Sequence, residues 1–199
     1  LKQVTVGALP DMITFSPDGT KVMTANEGQP NADYSIDPEG SVSIIDISGG
    51  ISALSQTNVT TLLFTSYNAQ EATLLASGVR KLKASSTLSQ KAWVTLQENN
   101  AIAEINLATT TISDIWALGT KDVSLPGNGM DISDNNGQVL IANWPIQAFY
   151  MPDAVANYTI GGTTYLVTAN EGDEKEYTGF VERTTVGAAT YILDPAIYP

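Results

Sequence analysis

The chain contains neither histidine nor cysteine. Without cysteine there is no disulfide and no thiolate nucleophile. Without histidine, the Ser-His-Asp and Cys-His arrangements, His-ligated zinc and the usual proton carrier near neutral pH all drop out. Chemistry is left to carboxylates, amides, hydroxyls and a few cations. Cations are themselves scarce: nine Lys and Arg stand against 21 Asp and Glu, a formal net charge of -12. Such a chain repels nucleic acid and anionic membranes and favours cationic partners, divalent metals above all. No apolar run approaches the ~18 residues of a membrane-spanning helix. The start at Leu1 has no charged segment leading into an apolar one, so the chain reads as an excised or processed piece of something longer.

What the sequence does contain is a fold's worth of apolar residues, 43% against 15% charged over 199 residues, which describes one folded domain without an internal boundary and not a disordered chain. It also contains a repeat. Thr168-Ala169-Asn170-Glu171-Gly172-Asp173 nearly restates Thr24-Ala25-Asn26-Glu27-Gly28. Each copy follows a Pro-Asp pair, Pro10-Asp11 or Pro152-Asp153, then an apolar stretch, a Gly-containing turn and a second apolar stretch. Two weaker copies lie between. Trp93 to Asn99 keeps the strand, an amide and Glu98; Gly137 to Trp144 keeps the strand and Asn143 but puts Trp144 where the Glu would be.

The elements follow from alternation and turn chemistry. Short strands are expected over residues 1–7, 41–47 with 59–64 as hairpin partner, 91–96 with 101–107 around Gln97-Glu98-Asn99-Asn100, 112–116, 139–142 paired with Met130-Asp131-Ile132, and 184–193. Residues 68–82 alone have apolar positions at helical spacing, enough for one surface helix. Many short strands joined by Asp-Gly and Asn-Gly turns define an all-β protein. Recurrence of a hairpin-sized unit points to a β-propeller, with length for about four blades, part of a larger propeller; a β-sandwich, which needs no repeat, is the alternative.

In a propeller, equivalent strand ends converge on one face, and Glu27, Glu98 and Glu171 fall at equivalent ends. Clustered carboxylate oxygens without His or Cys suit Ca²⁺ or Mg²⁺. The loop behind Glu27 adds Asp37 and Glu39, so a calcium site is expected from Glu27, Asp37, Glu39, Glu171 and Asp173. Asn-Glu-Gly at a strand end is equally good turn chemistry, in which the side chains serve backbone N–H groups and Gly takes positive φ. Trp93, Trp116 and Trp144 suit core packing better than sugar stacking. Arg80 and Arg183 suit solvated ion pairs better than a phosphate clamp.

These words in this order resemble the choice-of-anchor I family. They are Leu9-Pro10-Asp11-Met12, Ala25-Asn26-Glu27-Gly28, Asp37-Pro38-Glu39-Gly40-Ser41-Val42, Gln97-Glu98-Asn99-Asn100-Ala101-Ile102-Ala103, Leu118-Gly119-Thr120-Lys121-Asp122, Asn143-Trp144-Pro145, Pro152-Asp153-Ala154 and the stretch from Thr164 to Asp173. The resemblance implies a propeller-like domain of a bacterial secreted or surface protein. It also implies that the remaining part of the propeller comes from the same precursor or another chain. An acidic Glu-Pro-Glu-Tyr segment of the family has no counterpart before Trp93. Family members often carry an alkaline phosphatase-like label and look similar to phytase-like propellers, but a fold hosts many functions. Three readings follow: a ligand- or partner-binding module with structural calcium, a calcium-dependent phosphoesterase, and a filament or matrix subunit.

Overall fold

The computed structural model describes residues 1–78, 91–133, 136–184 and 188. The structure is all-β, with several antiparallel sheets and a single short α-helix among the described residues. Four strands, β1 (Pro10–Phe15), β2 (Lys21–Asn26), β3 (Ser41–Asp46) and β4 (Val59–Leu63), form an antiparallel meander in chain order. A six-residue helix, α1 (Glu71–Ala76), follows a 3₁₀ segment at Thr65–Gln70 and ends before Gly78, whose φ of 95° stops it. That leaves the expected 68–82 helix shorter than its spacing suggested, with its last residues outside those described.

A second meander follows in β5 (Lys91–Leu96), β6 (Ala101–Asn106) and β7 (Thr111–Ala117). The turn between β5 and β6 is a 3₁₀ turn closed by Asn100 in the left-handed region, φ 53°. Next come β8 (Thr120–Asp122) paired with β9 (Gln147–Phe149), then the long hairpin β10 (Pro152–Ile160) with β11 (Thr163–Asn170). Last among the described residues are β12 (Glu176–Tyr177) and β13 (Phe180–Val181). The hairpin expected between Met130-Asp131-Ile132 and residues 139–142 is reduced to one bridge, Met130 with Ala142.

The chain divides into two compact units. The larger holds residues 1–29 and 38–173; its core is Met23, Ala25, Val42, Ile44 and Phe64 of the first meander with Val94, Leu96, Ala103 and Ile105 of the second. β3 and β6 are buried almost throughout because each has strands on both edges. The smaller unit, residues 30–37 and 174–199, sets the Tyr34 ring 5.5 Å from Tyr177 and 5.1 Å from Phe180. Gly179 fits there because a Cβ would meet the Asp33 carbonyl oxygen at 2.0 Å.

Residues 1–7 are not a strand. Thr5 is held instead by Gln56, whose Oε1 accepts the Thr5 N–H at 2.8 Å and whose Nε2 donates to the Thr5 carbonyl at 2.9 Å. One glutamine amide replaces a strand's ladder at that point. The strand expected over 184–193 falls largely outside the described residues, as does Arg80. Arg183 pairs with Glu174 and Glu176, the ion-pair role expected of it.

Turns repeatedly use Asp with a hydroxyl residue two positions on. Asp18 takes Ser16 and Thr20, Asp33 takes Ser35, Asp46 takes Ser48 and Asp122 takes Ser124. These bonds favour the charged form, so all four carboxyls lie below their ordinary range, Asp18 at about 2. A depressed folded-state pKa contributes stability above the unfolded value that is lost as the carboxyl protonates. For Asp18 the loss runs from 3.8 down to about 2. Acid titration followed by circular dichroism is therefore expected to give a shallower loss of stability over that window in Asp18→Asn than in the native chain.

Candidate functional site

The repeated carboxylate-tipped turn is built the same way in its first and last copies. In β1 the register slips between Pro10 and Met12, making Asp11 a bulge opposite Asn26; in β10 it slips between Pro152 and Ala154, making Asp153 a bulge opposite Asn170. The residue before each Pro takes positive φ although it is not glycine, Leu9 at 48° and Met151 at 49°. Such backbone costs about 1–3 kcal/mol and persists only where the surroundings impose it. Here it aims the carbonyl at the incoming Glu: the Glu27 N–H donates to Leu9 O at 2.9 Å and the Glu171 N–H to Met151 O at 3.1 Å. Gly28 and Gly172 follow at φ 62° and 71°. Thr24 and Thr168 each donate a hydroxyl to the Asn two residues on, both at 2.9 Å.

The copies differ in what surrounds them. Asn26 is fully buried, its Nδ2 donating to Ser41 Oγ at 3.1 Å and Ser43 Oγ at 3.0 Å. Gly28 packs so closely on the next segment that a Cβ would meet Pro38 O at 2.4 Å and Glu39 O at 2.7 Å. Glu27's turn and the Glu39 backbone are thereby brought together. Desolvation raises the Glu39 carboxyl above its ordinary range, with the Phe64 N–H pulling it partly back.

The last copy meets the second. Gln97 Nε2 donates to Glu171 Oε2 at 2.9 Å, and Thr95 Oγ1 donates to Asp153 O at 2.9 Å. Asn100 Oδ1 accepts the Tyr150 and Met151 N–H groups at 2.9 and 3.2 Å, and its Nδ2 donates to Gly119 O at 2.7 Å. The Gln97 to Asn100 turn therefore clamps the start and the end of the last hairpin. Glu171 reaches the turn that carries Glu98, but through Gln97. In the third copy Trp144, standing where the others have Glu, donates its indole N–H to Met130 O at 2.9 Å. That substitution ties the turn down without a charge.

Of the expected metal residues, Glu27 and Glu39 share one turn region, Glu171 and Asp173 are exposed at another, and Asp37 belongs to the smaller unit. Among the described residues no three acidic side chains form a metal-holding group. Asn26, Gln97 and Asn100, none of them among the residues expected from sequence to form the site, do most of the holding. For Asn26 and Gln97 the sequence signal is the amide recurring directly ahead of each Glu; Asn100 follows Glu98 and carries no such signal. Trp93 lies in the core, as expected, while Trp116 is partly exposed with its indole N–H on Asp114 at 2.9 Å.

The antiparallel meanders and the copied hairpin define an all-β repeat domain. The chain belongs to the choice-of-anchor I domain family, whose profile matches residues 1–199. That places it among domains of bacterial cell-surface proteins. Comparison with curated proteins gives no match. No helix among the described residues is long and apolar enough to cross a membrane.

Proposed function

We propose that this chain is part of a β-propeller that serves as a binding module of a secreted or surface-anchored bacterial protein. It contacts its ligand or partner through the loops at the carboxylate-tipped strand ends, and the rest of the propeller comes from the same precursor or another chain. The observation that carries the reading is one hairpin geometry used twice, with the same bulge, left-handed residue and Thr–Asn bond. It occurs beside antiparallel meanders of four and three strands, the units from which propeller blades are made. The polar side chains at these turns hold backbone and neighbouring amides, which suits a platform for loops.

Structural calcium enters through the chemistry of the donors, carboxylates without His or Cys. The carboxylates of the described residues do not by themselves make a cage. This component predicts heat on calorimetric titration with calcium, a raised melting temperature, and loss of both in Glu27→Gln or Glu171→Gln. A flat titration removes calcium and leaves the module.

The exposed Glu171 carboxylate, oriented by Gln97, favours one second reading, a calcium-dependent phosphoesterase. Aryl-phosphate and phytate turnover that needs calcium and disappears in Glu171→Gln would support it. Chelator-sensitive melting without turnover supports the module, and ordered self-assembly would indicate a filament or matrix subunit.

A further inference from the structure

The chain holds two Asn-Gly pairs, Asn128-Gly129 and Asn136-Gly137, and the fold treats them differently. Asparagine before glycine is open to attack by the chain on its own side chain, because no Cβ hinders the glycine nitrogen. Asn136 and Gly137 are both exposed. Asn136 Oδ1 accepts the Gln138 N–H at 2.9 Å, an Asx turn. The ring closed by this bond contains both Asn136 Cγ and the Gly137 nitrogen, so it holds electrophile and nucleophile together. Its donor also faces the oxygen on which negative charge gathers during attack. Gly137 takes φ 68°, and among the described residues a Cβ there would meet nothing within 4 Å, so the backbone has room to turn.

Asn128 is held otherwise. It is half-buried, and its Nδ2 donates to Asp122 O at 2.8 Å, a bond that must break before its Cγ can turn onto the Gly129 nitrogen. Gly129 itself is packed: a Cβ there would lie 3.1 Å from Ala142 O. The next residue, Met130, exchanges both its backbone hydrogen bonds with Ala142, at 3.0 and 3.2 Å, which fixes the chain just beyond the pair. Asn106 supplies a second contrast. Its Oδ1 accepts the Ala108 and Thr109 N–H groups at 2.9 and 3.1 Å, but the residue after it is the buried Leu107, whose side chain shields the nitrogen. Among the described residues, a following glycine, exposure and the Asx bond coincide at Asn136.

We propose that Asn136 is a self-modification site, at which the folded chain converts this asparagine to aspartate and isoaspartate through a cyclic imide. Hydroxide removes the Gly137 amide proton and the nitrogen bonds to Asn136 Cγ. The Gln138 N–H holds the oxyanion that forms on Oδ1; the Cγ–Nδ2 bond then breaks, and the nitrogen leaves as ammonia after taking a proton from water. A second water opens the ring. Cleavage of the new Cγ–N bond gives aspartate on an unaltered backbone, and cleavage at the Asn136 backbone carbonyl gives isoaspartate, with the chain running through Cγ. The net change is water in and ammonia out, with no oxidant, reductant or cofactor. Either product adds a negative charge to a chain already at -12, in the loop where Asp131 Oδ2 accepts the Leu140 N–H at 3.0 Å. Isoaspartate also lengthens the backbone between the bridged Met130 and Ala142. The inference is independent of the loop-face reading and of calcium.

The test incubates the whole folded chain in mildly alkaline buffer made with heavy-oxygen water and follows both Asn-Gly pairs by peptide mass mapping, with isoaspartate read by enzymatic methyl transfer. Asn136 is expected to convert at least about tenfold faster than Asn128, because the fold aligns one pair and restrains the other. Both aspartate and isoaspartate should appear at position 136, each carrying the label. The same incubation in guanidinium removes the fold and leaves only the local Asn-Gly sequence, so the ratio of the two rates should fall to near one. Three results would each overturn the proposal. They are conversion of Asn128 in the folded chain as fast as that of Asn136, a ratio that persists in guanidinium and so belongs to the sequence alone, and conversion of Asn136 to aspartate without isoaspartate, which is direct hydrolysis with no cyclic imide.

Discussion

Asn26→Leu is expected to destabilise the chain by about 2–5 kcal/mol, because two buried hydroxyls lose their partner together and each orphaned polar group costs about 1–3 kcal/mol. The two are Thr24 and Ser41, both below a tenth exposed, while Ser43 loses one bond but keeps the Gly7 N–H and the Thr61 hydroxyl. Leucine replaces the amide with similar bulk, so the effect is one of lost hydrogen bonds and not of a cavity. The same substitution at Asn170 is expected to change stability by within about 0.5 kcal/mol, since an exposed amide exchanges its partners with water. Urea unfolding of the two variants beside the native chain measures both. Equal losses at the two positions would mean that Asn26's serine contacts contribute nothing beyond those of the turn itself. A total stability of about 5–15 kcal/mol is usual for a domain, so the expected loss at Asn26 is large enough to move the midpoint clearly.

That contrast also marks how far the amino-acid sequence could be read. Pairing of residues 41–47 with 59–64, and of 91–96 with 101–107, is visible in advance because apolar alternation and turn residues are local signals. The family is visible because its words are long and ordered. β8 and β9 are not, since Thr120–Asp122 and Gln147–Phe149 are three-residue strands whose pairing depends on a distant partner and not on local pattern. β12 and β13 flank Thr178-Gly179, a two-residue turn signal between Glu176-Tyr177 and Phe180-Val181 that is too short to carry an alternation pattern. Residues 1–7 alternate like a strand, but alternation does not provide an edge to pair with.

The candidate site divides in the same way. Which residues tip the strands is plain from the repeat. The burial of Asn26 and exposure of Asn170 is not, because it depends on β3 and its serines coming back across β2. Nor does any sequence signal mark Leu9 and Met151 as left-handed, for neither is Gly or Asn. Their shared conformation is imposed by the bulge and by the Glu amide each carbonyl must meet. Carboxylates equivalent in sequence therefore occupy unlike surroundings, Glu27 in a packed turn and Glu171 on Gln97. Charge and spacing alone cannot distinguish the two.

Gly28 and Gly172 turn this inequivalence into a second measurement. Both take positive φ, so alanine at either position incurs the left-handed penalty of about 1–2 kcal/mol. At Gly172 a Cβ would meet nothing within 4 Å, and that penalty is the whole expected loss. At Gly28 the Cβ would lie 2.4 Å from Pro38 O and 2.7 Å from Glu39 O, both backbone atoms that cannot swing aside as a side chain would. Relief requires the 38–39 segment to move away from the Glu27 turn, and forced displacement of packed groups adds about 1–3 kcal/mol. Gly28→Ala is therefore expected to lose about 2–5 kcal/mol in urea unfolding, against about 1–2 kcal/mol for Gly172→Ala. Because Glu39 is the residue displaced, Gly28→Ala should also bring its raised carboxyl back towards the ordinary range as the segment becomes hydrated, a change that carboxyl-carbon NMR titration reads directly. An unchanged Glu39 titration together with a loss no greater than at Gly172 would show that the Glu27 turn and the 38–39 segment are not packed as described, and would remove the pairing of Glu27 with Glu39 from any account of a cation site.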